Sequence, residues 1–452
     1  MPITRRSALM TGSVGALAAL LPSLARHGQA MAQGPNLLRT LTRAYNASGQ
    51  QLFKQLSATG GNLVFSPYSI GTAMAMALAG ARGATERQMI DVLQHRLTRP
   101  EIDRANAQAL AALNAYDRAA ATPGCPPGLQ LAGKQCERPW SEADGCRFPA
   151  RREGDTCVAA PNLPPSAELS VADALMLPSR DGLISEAYRT LLKKDYAAEV
   201  FEGASLADIN AWVARQTRGK IERILEQLDP NAVAVLLNAV YFKAKWASAF
   251  SRSQTRDEPF QLAAGKQAAA PTMRRRGSYA LVAGQGYRAL RLPYEVEALG
   301  MVIVLPDAVD GVAAVGAKLG ETQLSDLFAA IGAAPPRQVD LALPRFKLES
   351  KIELAPIFKH AGMTLAFSGQ ADFSGMTSQP QERIAISDVV HRAVIDVMED
   401  GTEAAAATAV TMMRSSMPSK AEEFRVDRPF LFYLVDDGTG AILFEGRVSD
   451  PR

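Results

Sequence analysis

The chain has 452 residues, of which 47% are hydrophobic and 21% are charged, and these fractions exclude a wholly disordered or collagen-like protein. Its 49 basic residues nearly balance its 46 acidic residues, so the net charge of +3 gives no reason to expect nucleic acid as the main partner. With only 4 histidines and 4 cysteines, a histidine-rich metal centre is not expected, and neither a metal nor a cofactor is predicted.

Residues 1–32 have the pattern of an export signal. Arg5-Arg6 precede an uncharged run from Ser7 to Ala25, and Ala30-Met31-Ala32 ends the segment with a small-x-small cleavage pattern. The paired arginines favour the twin-arginine route of bacteria, and the alternative is an uncleaved apolar anchor. Cleavage removes three arginines and no acid, which leaves 46 basic against 46 acidic residues. The sequence therefore predicts an exported protein, periplasmic or extracellular, with no membrane contact once the signal is removed.

Three helices are predicted in the first part of the remaining chain. The first begins at Ser66-Pro67, because serine is a good N-cap and proline is favoured at the first helical position. Thr85-x-x-Gln88 predicts a second, short helix with a capping box, and Thr98-x-x-Glu101 predicts a third that runs to about Ala120.

All the cysteines fall in one stretch, at about residues 121–166, which is rich in proline, glycine and charge and lacks any hydrophobic period. They are Cys125, Cys136, Cys146 and Cys157. Zinc sites usually include a closely spaced cysteine pair, which is missing here, so two disulfides in an exported protein are favoured over a metal site. The three possible pairings stay open. The stretch is interpreted as a surface insertion within a larger domain.

The rest of the chain predicts a mixture of helices and strands. The predicted strands are ELSVADALMLP (168–178), AVAVLLNAVYFKAKW, GMVIVLP, VDLALPRFKLES, FLFYLV and AILFEGRV, and the predicted helices are ISEAYRTLLKKDY, LADINAWVARQTRGKIERIL and residues 352–361. Asp437-Gly438-Thr439-Gly440 is a strong hairpin signal between the last two strands. Since helices come first and strands dominate later, without regular alternation, the fold class is α+β.

Motifs of enzyme chemistry are missing. Neither Gly-x-Ser-x-Gly nor Ser-x-x-Lys occurs, and there is no His-Glu-x-x-His and no phosphate loop, so an enzyme, and a serine hydrolase in particular, is not predicted. Gly284-Gln-Gly286 is interpreted as a loop between strands, and Arg274-Arg275-Arg276 as a solvated turn. His391 lies in a strand-like run, where a lone histidine is ordinarily a hydrogen-bonded core residue.

Residues 399–417 form an unusual segment between two strand-like runs. The alanines at 404–407 favour a helix, but no apolar stripe is present with which such a helix could dock. On composition alone the segment is an exposed linker. Its position between strands and its small side chains offer a different interpretation, in which the segment enters a sheet as an added strand.

At this point the chain resembles the serpins, over nearly all of residues 36–452. The motifs that carry the resemblance are NLVFSPYSI, ALAGARGAT, NAWVARQTRGKI, LLNAVYFKAKW, LPRFKLES, GMTLAFSGQADFSGM, EDGTEAAAATA and DRPFLFYLVDDGTGAILFEGRV. The resemblance implies a bacterial serpin of the inhibitory type, with one domain at residues 33–452. It also implies the serpin fold: three β-sheets, eight or nine helices and an exposed reactive-centre loop.

The resemblance further implies a function and its residues. Serpins inhibit proteases as suicide substrates: the protease cleaves the loop, forms an acyl-enzyme and is trapped when the loop inserts into the central sheet. The implied hinge of the loop is small and flexible: Glu399, Gly401, Thr402, Ala404, Ala405, Ala406, Ala407 and Thr408. The implied polar shutter under the sheet is Ser66, Ser69, Asn238 and His391, and Trp246 corresponds to the breach where the loop enters.

The reactive bond is placed from the usual loop spacing. Arg414–Ser415 is preferred, and Ser415–Ser416 is the alternative. Arg414 suits a trypsin-like protease with an acidic specificity pocket, whereas Met412, Met413 and Met417 suit chymotrypsin-, elastase- or subtilisin-like enzymes. The expected partner of this monomer is thus a serine protease, with a cysteine protease as a further option. The alternative function is that of a non-inhibitory, binding or chaperone-like serpin in which the cysteine-bearing insertion is the functional part.

Overall fold

The fold is taken from a computed structural model. It describes residues 21–117, 130–132, 135–137, 150–153, 156–159, 167–178, 182–229, 231–262, 265–379, 381–402 and 421–452, with side chains from Leu37 onward except in the short strands between 130 and 159. The cysteine side chains, the hinge beyond Thr402 and the predicted reactive bond therefore lie outside the described residues.

The described chain contains nine α-helices and nineteen β-strands. The helices are α1 Leu21–Leu56, α2 Pro67–Gly80, α3 Gly83–Val92, α4 Arg99–Asn114, α5 Glu186–Tyr196, α6 Leu206–Gln216, α7 Val312–Lys318, α8 Glu321–Ala333 and α9 Ala355–His360. The strands are β1 Leu63–Phe65, β2 Gln130–Ala132, β3 Gln135–Glu137, β4 Ala150–Glu153, β5 Thr156–Ala159, β6 Ala167–Leu177, β7 Glu199–Glu202, β8 Ala234–Lys245, β9 Arg256–Gln261, β10 Gln267–Gly284, β11 Tyr287–Pro293, β12 Leu299–Pro306, β13 Arg337–Pro344, β14 Phe346–Glu353, β15 Ile386–Met398, β16 Gly401–Thr402, β17 Glu422–Arg425, β18 Phe430–Asp436 and β19 Ala441–Val448.

The strands of the main body form three sheets, in agreement with the predicted fold. The central sheet has the order β14-β15-β16-β8-β6-β7. The second sheet has the order β1-β19-β18-β12-β11-β10, and the long strand β10 continues into a third sheet with β9, β13 and β17. The strands β2 to β5 form two separate hairpins.

Helix α2 lies at the centre of the molecule. Every residue from Pro67 to Gly80 is buried, and the helix contacts α1, β6 and β8 of the central sheet and β19 of the second sheet. A helix that is apolar on all sides suits such a position. Gly71 allows the close approach of α1, since a Cβ atom there would lie 2.4 Å from the Tyr45 ring. Gly71 thus lets α1 and α2 pack closely.

Most predicted elements are confirmed, and four differ in instructive ways. Helix α3 begins at Gly83, because the Thr85 hydroxyl accepts the Asp372 N–H across the fold and does not cap the helix. Helix α4 has its predicted capping box but ends at Asn114. Helix α6 ends at Gln216, and the following Arg218 has a left-handed backbone with φ of 51°.

The arginines at 274–276 form part of β10, not a turn. Arg274 donates to Glu258 at 2.5 and 2.6 Å. Hydrogen bonds from Arg274 lower the pKa of Glu258 to about 2. Burial opposes this shift, and a further hydrogen bond from Arg256 adds to it. The Glu258 carboxylate on the neighbouring strand β9 thus stabilises Arg274 inside the sheet. None of the helices in the described part of the chain is both long and apolar enough to cross a membrane.

Candidate functional site

A buried polar cluster joins the N-terminus of α2 to two strands of the central sheet. Ser66 is the N-cap of α2 and Ser69 lies in its first turn. Asn238 of β8 lies directly opposite His391 of β15 in the parallel pairing of these strands. All four side chains are fully buried. The sequence analysis named these residues together, and the structure brings them into contact.

The hydrogen bonds of this cluster determine the tautomer of His391. The Ser66 backbone N–H donates to Nε2 of the imidazole at 3.2 Å, so Nδ1 carries the proton and donates to Oδ1 of Asn238. The Asn238 amide donates to the Ser69 hydroxyl at 2.6 Å. Burial lowers the pKa of His391 to about 3, so the imidazole stays neutral at physiological pH.

A fifth member of the cluster, Asp173, was not among the predicted site residues. It lies on β6, directly opposite Asn238, whose amide also donates to Oδ1 of the aspartate. Burial raises the pKa of Asp173 to about 7, and the hydrogen bond from Asn238 opposes this rise. The signal that could have found it is an acid with apolar neighbours on both sides in the strand, in the run VADALML (171–177).

Replacing Asn238 by alanine is expected to destabilise the protein by about 3 kcal/mol, because His391, Asp173 and Ser69 would each lose a buried hydrogen-bond partner. Urea unfolding measures this as a shift of the midpoint at unchanged slope. The exposed Asn114 is the matched control, and Asn114→Ala should change stability by less than about 0.5 kcal/mol. Equal midpoints for the two variants would contradict the stabilising role of the cluster.

At the other end of the same two strands, a short strand lies between them. Gly401 and Thr402 form β16, which pairs antiparallel with β15 on one side and with β8 on the other. Thr402 is fully buried, and its hydroxyl lies 2.7 Å from the Tyr294 hydroxyl. Gly401 has φ of 154°, and a Cβ atom there would lie 2.1 Å from the Ala244 carbonyl oxygen, so only glycine fits. The central sheet thus already holds two residues of the predicted hinge as an added strand.

Trp246 fixes the chain immediately before this added strand. Its indole N–H donates to the carbonyl of Met398 at 2.9 Å, and its ring stacks on Tyr294 with centroids 4.4 Å apart. Trp246 is 2% exposed. The predicted breach residue therefore lies where the chain leaves β15 and turns back to enter, as β16, between β15 and β8.

Glu399 is held in the turn between β15 and β16. Its carboxylate accepts hydrogen bonds from Arg345 Nε at 2.8 Å and from the Thr255 hydroxyl at 2.6 Å. Burial raises the pKa of Glu399, but the hydrogen bonds from Arg345 and Thr255 outweigh it and leave the pKa below its usual value. The next residue, Asp400, pairs with Arg252 at 2.5 Å. The sequence analysis did not identify Arg345, Thr255 or Arg252 as partners of these two acids. Arg345 could have been noticed, because it is a charged residue between two strands of alternating pattern.

Chemically, this arrangement favours strand addition. Below β16, strands β15 and β8 pair directly in parallel from Ile386 to Val394. A chain that continued from Thr402 into the gap would replace this pairing by two antiparallel ladders, which are slightly more stable per residue. The contact between His391 and Asn238 would have to break first. The polar cluster thus joins β15 and β8 at the position that such a strand would occupy.

Comparisons with known proteins agree with this geometry. The sequence model of the serpin family, described as serine protease inhibitor, matches residues 43–136 and 150–451. An uncharacterized serpin-like protein of Thermococcus kodakarensis is 34% identical over 428 residues, covering 92% of this chain and 86% of that protein. Human Serpin B11 is 32% identical over 416 residues, covering 88% of this chain and 96% of its own length.

Solved structures have the same fold. Human thyroxine-binding globulin, in complex with thyroxine, superposes with a TM-score of 0.73 at 24% identity, covering 92% of this chain and 99% of that one. The thermophilic serpin tengpin, in its native state, gives a TM-score of 0.73 at 24% identity, covering 91% of this chain and 94% of that one. Taken with the family match and the sheet topology, these likenesses lead to one conclusion: the chain belongs to the serpin family.

Proposed function

We propose that this serpin inhibits serine proteases as a suicide substrate. The observation that carries the proposal is β16, which lies between β15 and β8 and so begins the strand that loop insertion would complete. The residues that follow Thr402 in the sequence, Glu-Ala-Ala-Ala-Ala-Thr-Ala, are mostly small and contain no proline, and so suit entry into a sheet.

The proposed reaction begins at the Arg414–Ser415 bond. The protease serine Oγ attacks the carbonyl carbon of Arg414 and forms an ester, the peptide bond breaks, and the Ser415 nitrogen takes up a proton as it leaves. Water would normally hydrolyse the ester. Insertion of the released segment beside β15 and β8 competes with that step and traps the acyl-enzyme.

The energy of insertion is sufficient for such a trap. A strand of about ten residues with net hydrogen-bond contributions of about 0.5–1.5 kcal/mol each gives on the order of 10 kcal/mol. A change of about 5.5 kcal/mol already moves a two-state equilibrium from 1:99 to 99:1. The ladder bonds alone can therefore drive the change of state.

Incubating the mature protein with trypsin, subtilisin and elastase tests the proposal. We expect an SDS-stable adduct with trypsin, and we expect Arg414→Ala to lose at least about 100-fold in the rate of adduct formation, because the arginine would no longer fill an acidic specificity pocket. The matched control, Lys420→Ala, lies beyond the bond and should keep the adduct. Clean cleavage by all three proteases, without any adduct, would contradict the inhibitor proposal.

The second candidate is a non-inhibitory, ligand-binding serpin. A cavity of about 850 Å³ lies between α1, α8 and the second sheet, and its lining includes Arg39, Arg291 and Phe328. The lining also includes Glu297, Glu321, Asp436 and Asp437, and Asp437 pairs with Arg291 at 2.8 Å, so the cavity suits a small ligand with both polar and apolar parts without selecting its charge. One structural neighbour is itself a thyroxine-binding protein. Cleavage without adduct in the protease experiment would favour this candidate.

We further propose that the protein is bacterial and is exported by the twin-arginine route, with residues 1–32 removed and two disulfides formed in the cysteine-bearing insertion. The support is the charged, apolar and small-residue order of that segment together with the clustering of the cysteines. The mass of the secreted protein, measured before and after reduction, tests both parts.

A further inference from the structure

Asp173 ends a chain of hydrogen bonds that crosses the central sheet. The chain runs from Ser66 to His391 on β15, then to Asn238 on β8, and finally to Asp173 on β6. The contact between His391 and Asn238 spans the gap that an inserted strand would fill. Asp173 therefore affects the contact between β15 and β8 only through its hydrogen bond with Asn238. For this reason it is a positioning residue.

The surroundings of Asp173 leave its carboxyl group poorly satisfied. The residue is 1% exposed, and Oδ2 has no hydrogen-bond partner among the described residues. A buried carboxylate in this position keeps one oxygen without a donor, whereas a neutral carboxyl group carries a smaller desolvation cost.

Among the described residues, the ionisable groups near Asp173 are all uncharged at neutral pH and do not neutralise its carboxylate. Tyr45 of α1 and Tyr68 of α2 interact electrostatically with Asp173, and His391 of β15 is linked to it only through Asn238. Burial raises the pKa of both tyrosines, so their phenols remain neutral. The imidazole is also neutral, because its Nε2 accepts a backbone N–H and burial lowers its pKa.

We propose that Asp173 makes the opening of the central sheet dependent on pH, with opening faster when its carboxyl group is ionised. The proposal deepens the inhibitor function, and it rests on that function for its biological meaning. In the closed sheet the Asp173 carboxylate would be shielded from water and only partly hydrogen-bonded. Once β15 and β8 separate, water reaches Asn238 and Asp173 and solvates the charge.

The direction of the pH dependence follows from this difference. The pKa of Asp173 in the closed sheet is about 7, above its ordinary value, whereas solvation in the open sheet brings it back towards that value. The open state therefore binds fewer protons between these two values, and opening becomes more favourable as pH rises through this range. At pH values above the closed-state pKa, Asp173 is ionised in both the closed and the open sheet, so a further rise in pH no longer favours opening.

Uptake of a synthetic peptide measures opening without any protease. The probe is a fluorescent peptide with the sequence of residues 402–413, incubated with the mature protein at constant ionic strength between pH 5.5 and 8.5. We expect the uptake rate of the wild-type protein to rise at least about fivefold over this range and to level off at its upper end. We expect Asp173→Asn, which keeps the acceptor oxygen but cannot ionise, to give a flat profile.

The matched control is Asp103→Asn. Asp103 is a second buried acid with a raised pKa, mainly through burial, but it bonds to Tyr196 and lies outside the cluster. Its variant should keep the pH dependence of the wild-type protein, and Asp173→Ser replaces Asp173→Asn if that variant fails to fold. A flat wild-type profile, an unchanged profile in either Asp173 variant, or no uptake at any pH would overturn the proposal. Failure of the inhibitor function alone would appear differently, as normal pH-dependent uptake with no protease adduct.

Discussion

Replacing Thr402 by arginine is expected to turn the protein from an inhibitor into a substrate of its target protease. Thr402 is fully buried between β15 and β8, where its hydroxyl contacts that of Tyr294. The acids nearest in the chain, Glu399 and Asp400, already pair with Arg345 and Arg252, so a guanidinium group here would be buried without a partner of its own, at a cost of several kcal/mol. The first step of insertion would be slower, so more of the acyl-enzyme would be hydrolysed before it is trapped.

We expect the stoichiometry of inhibition, the number of serpin molecules consumed for each protease molecule trapped, to rise at least about tenfold, since each 1.4 kcal/mol on the insertion barrier changes the partition tenfold. Titration of active protease measures this directly. Thr402→Ser is the matched control, because it keeps the hydroxyl group and the small size and should trap as well as the wild-type protein. An arginine variant that traps equally well would exclude β16 as the start of the inserted strand.

The sequence was sufficient to predict features that depend on neighbours in the chain. The Ser66 N-cap of α2, the capping box at Thr98 and the hairpin at residues 437–440 all depend on contacts over a few residues, and the structure has all three. The apolar runs predicted most strands, since burial on both faces leaves a signal in each strand by itself.

Features that depend on register could not be predicted in the same way. Asp173, Asn238 and His391 are linked only because β6, β8 and β15 pair in one particular alignment. One residue of slippage would move each side chain to the opposite face of the sheet. The failed prediction for Thr85 has a similar cause, since a tertiary contact with Asp372 replaced the local cap. Family resemblance supplied four residues of the polar cluster, but it did not supply the acid that makes the cluster titratable.

Cutting the chain once at Arg414–Ser415, within residues 403–420, is expected to raise the melting temperature. In the intact chain this segment is tied at both ends, to β16 in the central sheet and to β17, which pairs with β13 in the third sheet. We expect these two attachments to restrain the segment from extending along β15 and β8. A single cut releases the part attached to Thr402, and that part can extend β16 along β15 and β8.

The expected rise follows from the added ladder. A gain on the order of 10 kcal/mol, divided by an unfolding entropy of about 2.1 cal/mol/K per residue over the mature chain, gives a rise of about 10 °C. Calorimetry of protein cut at an engineered protease site in the segment measures it. The same site placed in the exposed loop between β12 and α7, near Val309, is the control, and cutting there should not raise the melting temperature. If both cut proteins melted at the temperature of the intact one, the native sheet would store no usable energy, and a protease attached to the loop could not be displaced before it hydrolysed its own ester.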